Sequence, residues 1–349
     1  MLKKNVLFGA MFLFVILFYS FLFLASRASV RHQAAEFSPP TEALHGEERL
    51  TPERVKEKEE RFKNNLLARP RLLLAVTSAV FFALGVGLVI ELVWLSRILE
   101  KKPLIKALPR LFPKTAWGIG EVFEVLLGLF FIEALLLSVE LTLSGWVQWS
   151  AGIKDFIVVL NGFIRDAGVA FWVIVLVTRA RRQPLSSLGL TGNRFMDHAR
   201  TGFWAYWGIV PVLAALMALT VFLANFFSYE PPAQAVVEIY LKRSTEHFLV
   251  FFTVFVALVG PLIEEIFFRG FAYPAVRARF GPAAGMALTA CIFSAMHMSL
   301  TAFVPIFFLG VFLAYLYEKT GSLVPSMTAH VLHNAIMVFL TLGFKSLSS

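Results

Sequence analysis

Nine times along this chain a run of roughly 17 to 25 residues passes with few or no charges. No other feature limits the fold as strongly. The runs fall at about 5–25, 72–95, 117–143, 154–178, 201–225, 247–273, 284–300, 303–318 and 322–343. As helices, most are long enough to cross a hydrocarbon core of about 30 Å. Inside lipid each backbone N–H and C=O must find its partner within the protein, so such spans are helical. The expected fold class is all-α: a polytopic integral membrane protein of about nine transmembrane helices. The two short runs at 284–300 and 303–318 also admit a single broken pair. Composition agrees, since 58% of the 349 residues are hydrophobic, 16% are charged and 37 are Phe, which excludes a water-soluble domain.

The net charge of +9 resembles a nucleic-acid signal only until the cations are located. Arg97, Lys101, Lys102, Lys106, Arg110 and Lys114 crowd the loop at 96–115, and Arg179, Arg181, Arg182, Arg194 and Arg200 that at 179–200. With nine spans both loops share the side of the N-terminus. The positive-inside rule then puts the N-terminus in the cytoplasm and the C-terminus outside. No zinc-finger spacing, P-loop or dinucleotide fingerprint is present, and no nucleic-acid partner is expected. The single cysteine, Cys291, rules out an internal disulfide.

Residues 1–25, opening with Lys3 and Lys4, read as a signal-anchor helix. Ser26-Arg27-Ala28 offers a cleavage spacing, but the apolar run is long for a cleaved leader. Residues 26–71 are the one long polar stretch. Within it Thr51 reads as an N-cap and Pro52 as the first helical residue of a helix rich in both signs of charge. That helix reads as a solvated surface helix, with partner binding the sharper alternative. Residues 72–184 hold additional transmembrane helices.

A charge near the bilayer centre costs about 2.5–3.5 kcal/mol on insertion scales, so each one inside a span needs a partner or a purpose. Two groups stand out. Glu133 and Glu140, seven residues apart, share one face of their span, and Glu133 and Arg165 both fall mid-span, so a buried ion pair is expected. A structural pair is the favoured reading over a proton or ion path, and a transporter built on these residues lacks an inverted repeat or a broken helix pair.

The second group joins Glu264, Glu265 and Arg269 to His297, His330, His333 and Asn334. Counting about 1.5 Å per residue from the cytoplasmic face sets Glu264, His297, His330 and Asn334 in one layer, roughly 12–20 Å deep. Glu265 and Arg269 stand four apart and can pair along one helix, which leaves Glu264 free to face something else. His330 and Asn334 also share a face. In this reading Glu265 is neutralised by Arg269, and Glu264 stands in a dry cavity as a candidate general base.

These residues carry a family pattern. "EEIFFR" (Glu264 to Arg269), "FSAMH" (Phe293 to His297) and "HVLHN" (His330 to Asn334) resemble, in order and spacing, the EExxxR, FxxxH and HxxxN motifs of the CAAX-protease and bacteriocin-processing (Abi) family of intramembrane proteases. That family includes the Ras-converting CAAX endopeptidase. "LSSLGL" (Leu185 to Leu190) resembles a segment upstream of the motifs. The resemblance covers roughly 185–343 and implies a CAAX-protease-like catalytic bundle of eight or so helices there. It implies that Glu264 and His297 activate a water, that His330 and Asn334 donate to the oxyanion, and that Glu265 and Arg269 shape the site. His333 receives no role. Zinc held by Glu264, His297 and His330 is the alternative to a metal-free glutamate mechanism, which is preferred because HExxH is absent. The expected activity is intramembrane endopeptidase near the cytoplasmic side of the bilayer, acting on a membrane-bound or lipidated peptide. The alternative is a non-catalytic binding or immunity protein using the same cavity. The signal-anchor start and short loops suggest a bacterial inner membrane.

Overall fold

The computed structural model describes residues 8–21, 52–105, 115–144, 146–147, 149–229, 235–241 and 246–348. Among them every regular element is helical, with no strand. Helix α1 is Phe8–Phe21, α2 Pro52–Leu67, α3 Pro70–Leu99, α4 Ile119–Ser144 and α5 Ala151–Val175, which runs on through a π-helical turn to Ala180. Helix α6 is Phe195–Phe226 and α7 the short Ala235–Leu241. Helix α8 opens at Glu246–Val254 and continues to Tyr273–Phe280, with two π-helical stretches described below. Helices α9 (Pro282–Ala295), α10 (Leu300–Thr320) and α11 (Leu323–Ser348) complete the bundle.

Seven of these helices are long and apolar enough to cross a membrane, and α1 and α9 are shorter apolar helices. The fold is thus the polytopic all-α membrane protein that the apolar runs call for. At 14 residues α9 is about 21 Å long, short of a full crossing. It pairs with α10 as a hairpin: the Ser294 hydroxyl donates to the Phe303 carbonyl at 2.5 Å, and a Cβ on Gly310 would lie 2.9 Å from that of Ala290. Only a residue without a side chain lets the two backbones meet so closely. The outer surface of the bundle is apolar, as in Phe81 and Phe82 of α3, 70% and 74% exposed, which suits contact with acyl chains.

Helix α2 is not free in solvent. The Asn65 amide donates to the Leu347 carbonyl at 2.8 Å, and the Phe62 and Phe344 rings lie 5.1 Å apart, so its partner is the end of α11. Thr51 and the Ser26–Ala28 cleavage spacing fall outside the described residues. The segment 185–190 plugs into the interior: Leu188 is fully buried, Gly189 closes the short Leu185–Leu188 helix at φ 82°, and its carbonyl accepts from the Leu323 N–H at 3.0 Å.

Candidate active site

The site is built on α8, and α8 is not a regular α-helix. Phe255–Val259 and Ile266–Ala272 are π-helical, on either side of Gly260–Glu265. Such widened turns cluster at functional sites. The first has a local cause. In it the Gly260 N–H bonds the Phe255 carbonyl, five residues back. The next residue in that pattern is Pro261, which has no N–H. Val256 is therefore left with an unfilled carbonyl, and the Asn334 amide of α11 donates to it at 3.0 Å. One side chain thus repairs the backbone just upstream of the two glutamates and ties α11 to α8.

Beyond that repair the two glutamates diverge. Glu265 is fully buried. Its Oε1 accepts from Arg269 Nη1 at 2.7 Å and from His330 Nδ1 at 2.9 Å. Arg269, 2% exposed, is satisfied on other sides too: Nη2 donates to the Gly310 carbonyl at 3.2 Å, and the guanidinium lies 4.5 Å from the centre of the Phe293 ring. A buried charge needs this degree of compensation. The expected Glu265–Arg269 pair therefore forms, and His330 joins it from α11.

Glu264 projects elsewhere. Its Oε2 is 3.6 Å from His330 Nε2, and its side chain is 32% exposed. Glu264 is the more accessible carboxylate of the two, whereas Glu265 is fully enclosed. With Nδ1–H given to Glu265, His330 has one ring nitrogen, Nε2, left to face Glu264.

His297 sits in the turn between α9 and α10, just past Ala295, and not within a span as its apolar neighbours suggested. Its Nδ1 contacts the Phe293 carbonyl at 2.8 Å. A carbonyl only accepts, so Nδ1 carries the proton and Nε2 keeps a lone pair. Its ring meets Phe293 edge-on at 4.9 Å between centroids, and Phe293 meets His330 at 5.6 Å. Phe293 is the packed hub between the two imidazoles and the arginine. His333, on another face of α11, meets the Tyr206 hydroxyl at 3.3 Å.

The oxyanion-donor expectation is also refined. Asn334 has one N–H engaged by Val256, and His330 has Nδ1 engaged by Glu265. Asn334 keeps one N–H for anything else, and His330 Nε2 can donate only when the ring carries both protons.

Nor does the donor set suit a resident zinc. Among the described residues no three His, Cys, Asp or Glu side chains gather around one point. Glu265 and His330 Nδ1 are engaged with each other beside a guanidinium, whose charge opposes a second cation there.

The other polar group lies alongside. Arg165 Nη1 contacts Glu133 at 3.2 Å, joining α5 to α4 as expected, and Asn161 donates to Glu140 at 2.9 Å. Asp166, which the sequence reading passed over, accepts from Arg165 Nε at 2.9 Å and is close enough for its charge to act on Glu264. An acidic residue beside Arg165 in an apolar span was the available signal. Phe163 meets Phe255 at 5.9 Å, so this part of α5 packs on the first widened turn of α8.

A bundle of membrane helices that encloses a carboxylate–guanidinium–imidazole cluster, with a second carboxylate left accessible, defines the class: a polytopic membrane protein with a buried acid–imidazole centre. Comparison with known families makes that class specific. Residues 246–336, from the start of α8 to the middle of α11, match the type II CAAX prenyl endopeptidase Rce1-like family. This domain supports membership of the CAAX protease family. No curated protein and no solved structure matches the chain.

Proposed function

We propose that the protein is an intramembrane endopeptidase that hydrolyses a peptide bond with a water activated by Glu264. The observation that carries this reading is the division of labour between adjacent carboxylates. Glu265 is consumed by Arg269 and His330, whereas Glu264 lies 3.6 Å from His330 Nε2 and is open to an incoming group. Water attacks the scissile carbonyl carbon and gives its proton to the Glu264 carboxylate. The His297 Nε2 lone pair, left free by the Nδ1 contact, orients that water. The carbonyl oxygen becomes an oxyanion, which takes the remaining N–H of Asn334 and, from the doubly protonated His330 ring, Nε2–H. The C–N bond then breaks, and the departing nitrogen takes the proton from Glu264. No step passes through a metal.

The substrate is a peptide held at the membrane, with a lipid-modified chain suited to the apolar surround, cut near the cytoplasmic side. The test compares membrane peptides from cells carrying the wild-type protein and Glu264→Gln. The substitution keeps the shape and removes the base, so cleavage should fall by about 10²-fold or more while the protein stays folded in the membrane. Unchanged peptides, in cells whose phenotype still requires the protein, would establish a binding or immunity role in its place.

A further inference from the structure

Between α3 and α6, outside the family-matched segment, lies a cavity of about 310 Å³. Its lining is largely apolar and includes Ile90 and Ala205 with two indoles, Trp94 and Trp204. Arg97 and Arg200 form its polar rim. Arg97 is in the last turn of α3 and Arg200 near the start of α6, so the cavity sits where both spans reach one face of the membrane. Trp204 is 56% exposed, as suits a ring at the headgroup level. Arg97 gives one N–H to the Pro103 carbonyl at 3.3 Å, which turns the chain after α3 back beneath it. A guanidinium has five N–H donors, so most of its capacity stays open.

We propose that this cavity is a binding site for an anionic phospholipid: its phosphate lies between Arg97 and Arg200, and one acyl chain lies along the apolar seam of α3 and α6. Charge complementarity selects the headgroup, because two cations with no carboxylate among the lining residues favour a net negative lipid over a zwitterionic one. The lining selects a lipid over a soluble anion. A free phosphate has no use for a lining of isoleucine, alanine and indole, whereas an acyl chain packs against it. Its two arginines stand at the helix ends that adjoin the stretches richest in Lys and Arg, which by the positive-inside rule meet the leaflet where anionic lipids gather.

The full chain would be placed in mixed micelles with equal amounts of phosphatidylglycerol and phosphatidylcholine, and retained lipid read by native mass spectrometry. Phosphatidylglycerol should be enriched about tenfold over phosphatidylcholine. Arg97→Gln with Arg200→Gln should abolish the preference, and Arg200→Gln alone, at an exposed position, should lower it about fivefold without disturbing the fold. Equal retention of the two lipids, or a preference unchanged in Arg200→Gln, would overturn the proposal. Sodium phosphate is the control for the source of the anion. A rise in thermal stability with phosphatidylglycerol but not with inorganic phosphate supports the lipid, and an equal rise with both overturns it in favour of a soluble anion.

Discussion

Arg165 and Arg269 both lie well inside membrane spans, away from the helix ends, and the protein treats them differently. Arg165 bridges Glu133 and Asp166 with a third of its side chain exposed, and Glu133 is 40% exposed. Arg269 holds Glu265 with both partners essentially sealed, at 2% and 0%. The sealed cluster draws on four kinds of compensation: carboxylate, backbone carbonyl, aromatic face and imidazole. The open cluster relies on two carboxylates and on whatever reaches its exposed edge. A charge at that depth tolerates exposure only toward water between helices, since lipid would cost about 2.5–3.5 kcal/mol. The contrast separates a sealed scaffold from an open edge, and under the function proposed above that edge, with Glu264 beside it, is where solvent and substrate would enter.

Substitutions break or sharpen that contrast. The largest effect is expected for Arg269→Met, which strands the Glu265 charge and should cost about 3–5 kcal/mol, read as loss of folded protein in a thermal unfolding assay. Asn334→Ala comes next. It leaves the Val256 carbonyl bare at a cost of about 1–3 kcal/mol. Here a second change gives a sharper test: Pro261→Ala restores the missing N–H, so the double variant should recover stability that either residue's role in chemistry alone would not return. Arg165→Met should cost about 1 kcal/mol or less, because its pairs are partly exposed; a loss as large as that of Arg269→Met would erase the distinction between the clusters. Comparable in size is Tyr206→Phe, which removes the hydroxyl facing His333 and should cost about 0.5–1.5 kcal/mol with peptide cleavage retained.

Much of this was legible in the residues. Hydropathy marks the spans because lipid demands helices of set length, and each of the nine apolar runs corresponds to a helix. The Glu265–Arg269 pair follows from a spacing of four, and Glu133–Arg165 from matching depth. What was not legible depends on tertiary contact. Nothing in the pattern around Phe255 announces a widened turn, although Pro261 marks where a bond must fail. The Asn334–Val256 bond crosses 78 residues, and the docking of α2 on α11 joins a charged helix to a distant terminus through one amide and one ring pair. His297 was assigned to a span because the apolar run hides the turn that separates α9 from α10.

The widened turns of α8 carry one last consequence. An α-helix advances about 100° per residue, so a turn that accommodates one more residue resets the angular phase of all that follows by about that amount. Which of two neighbouring acids looks inward and which outward is thus a matter of chain length upstream as much as of side-chain identity. Removing a single residue between 255 and 259 would leave both acids in the polypeptide and re-aim the pair.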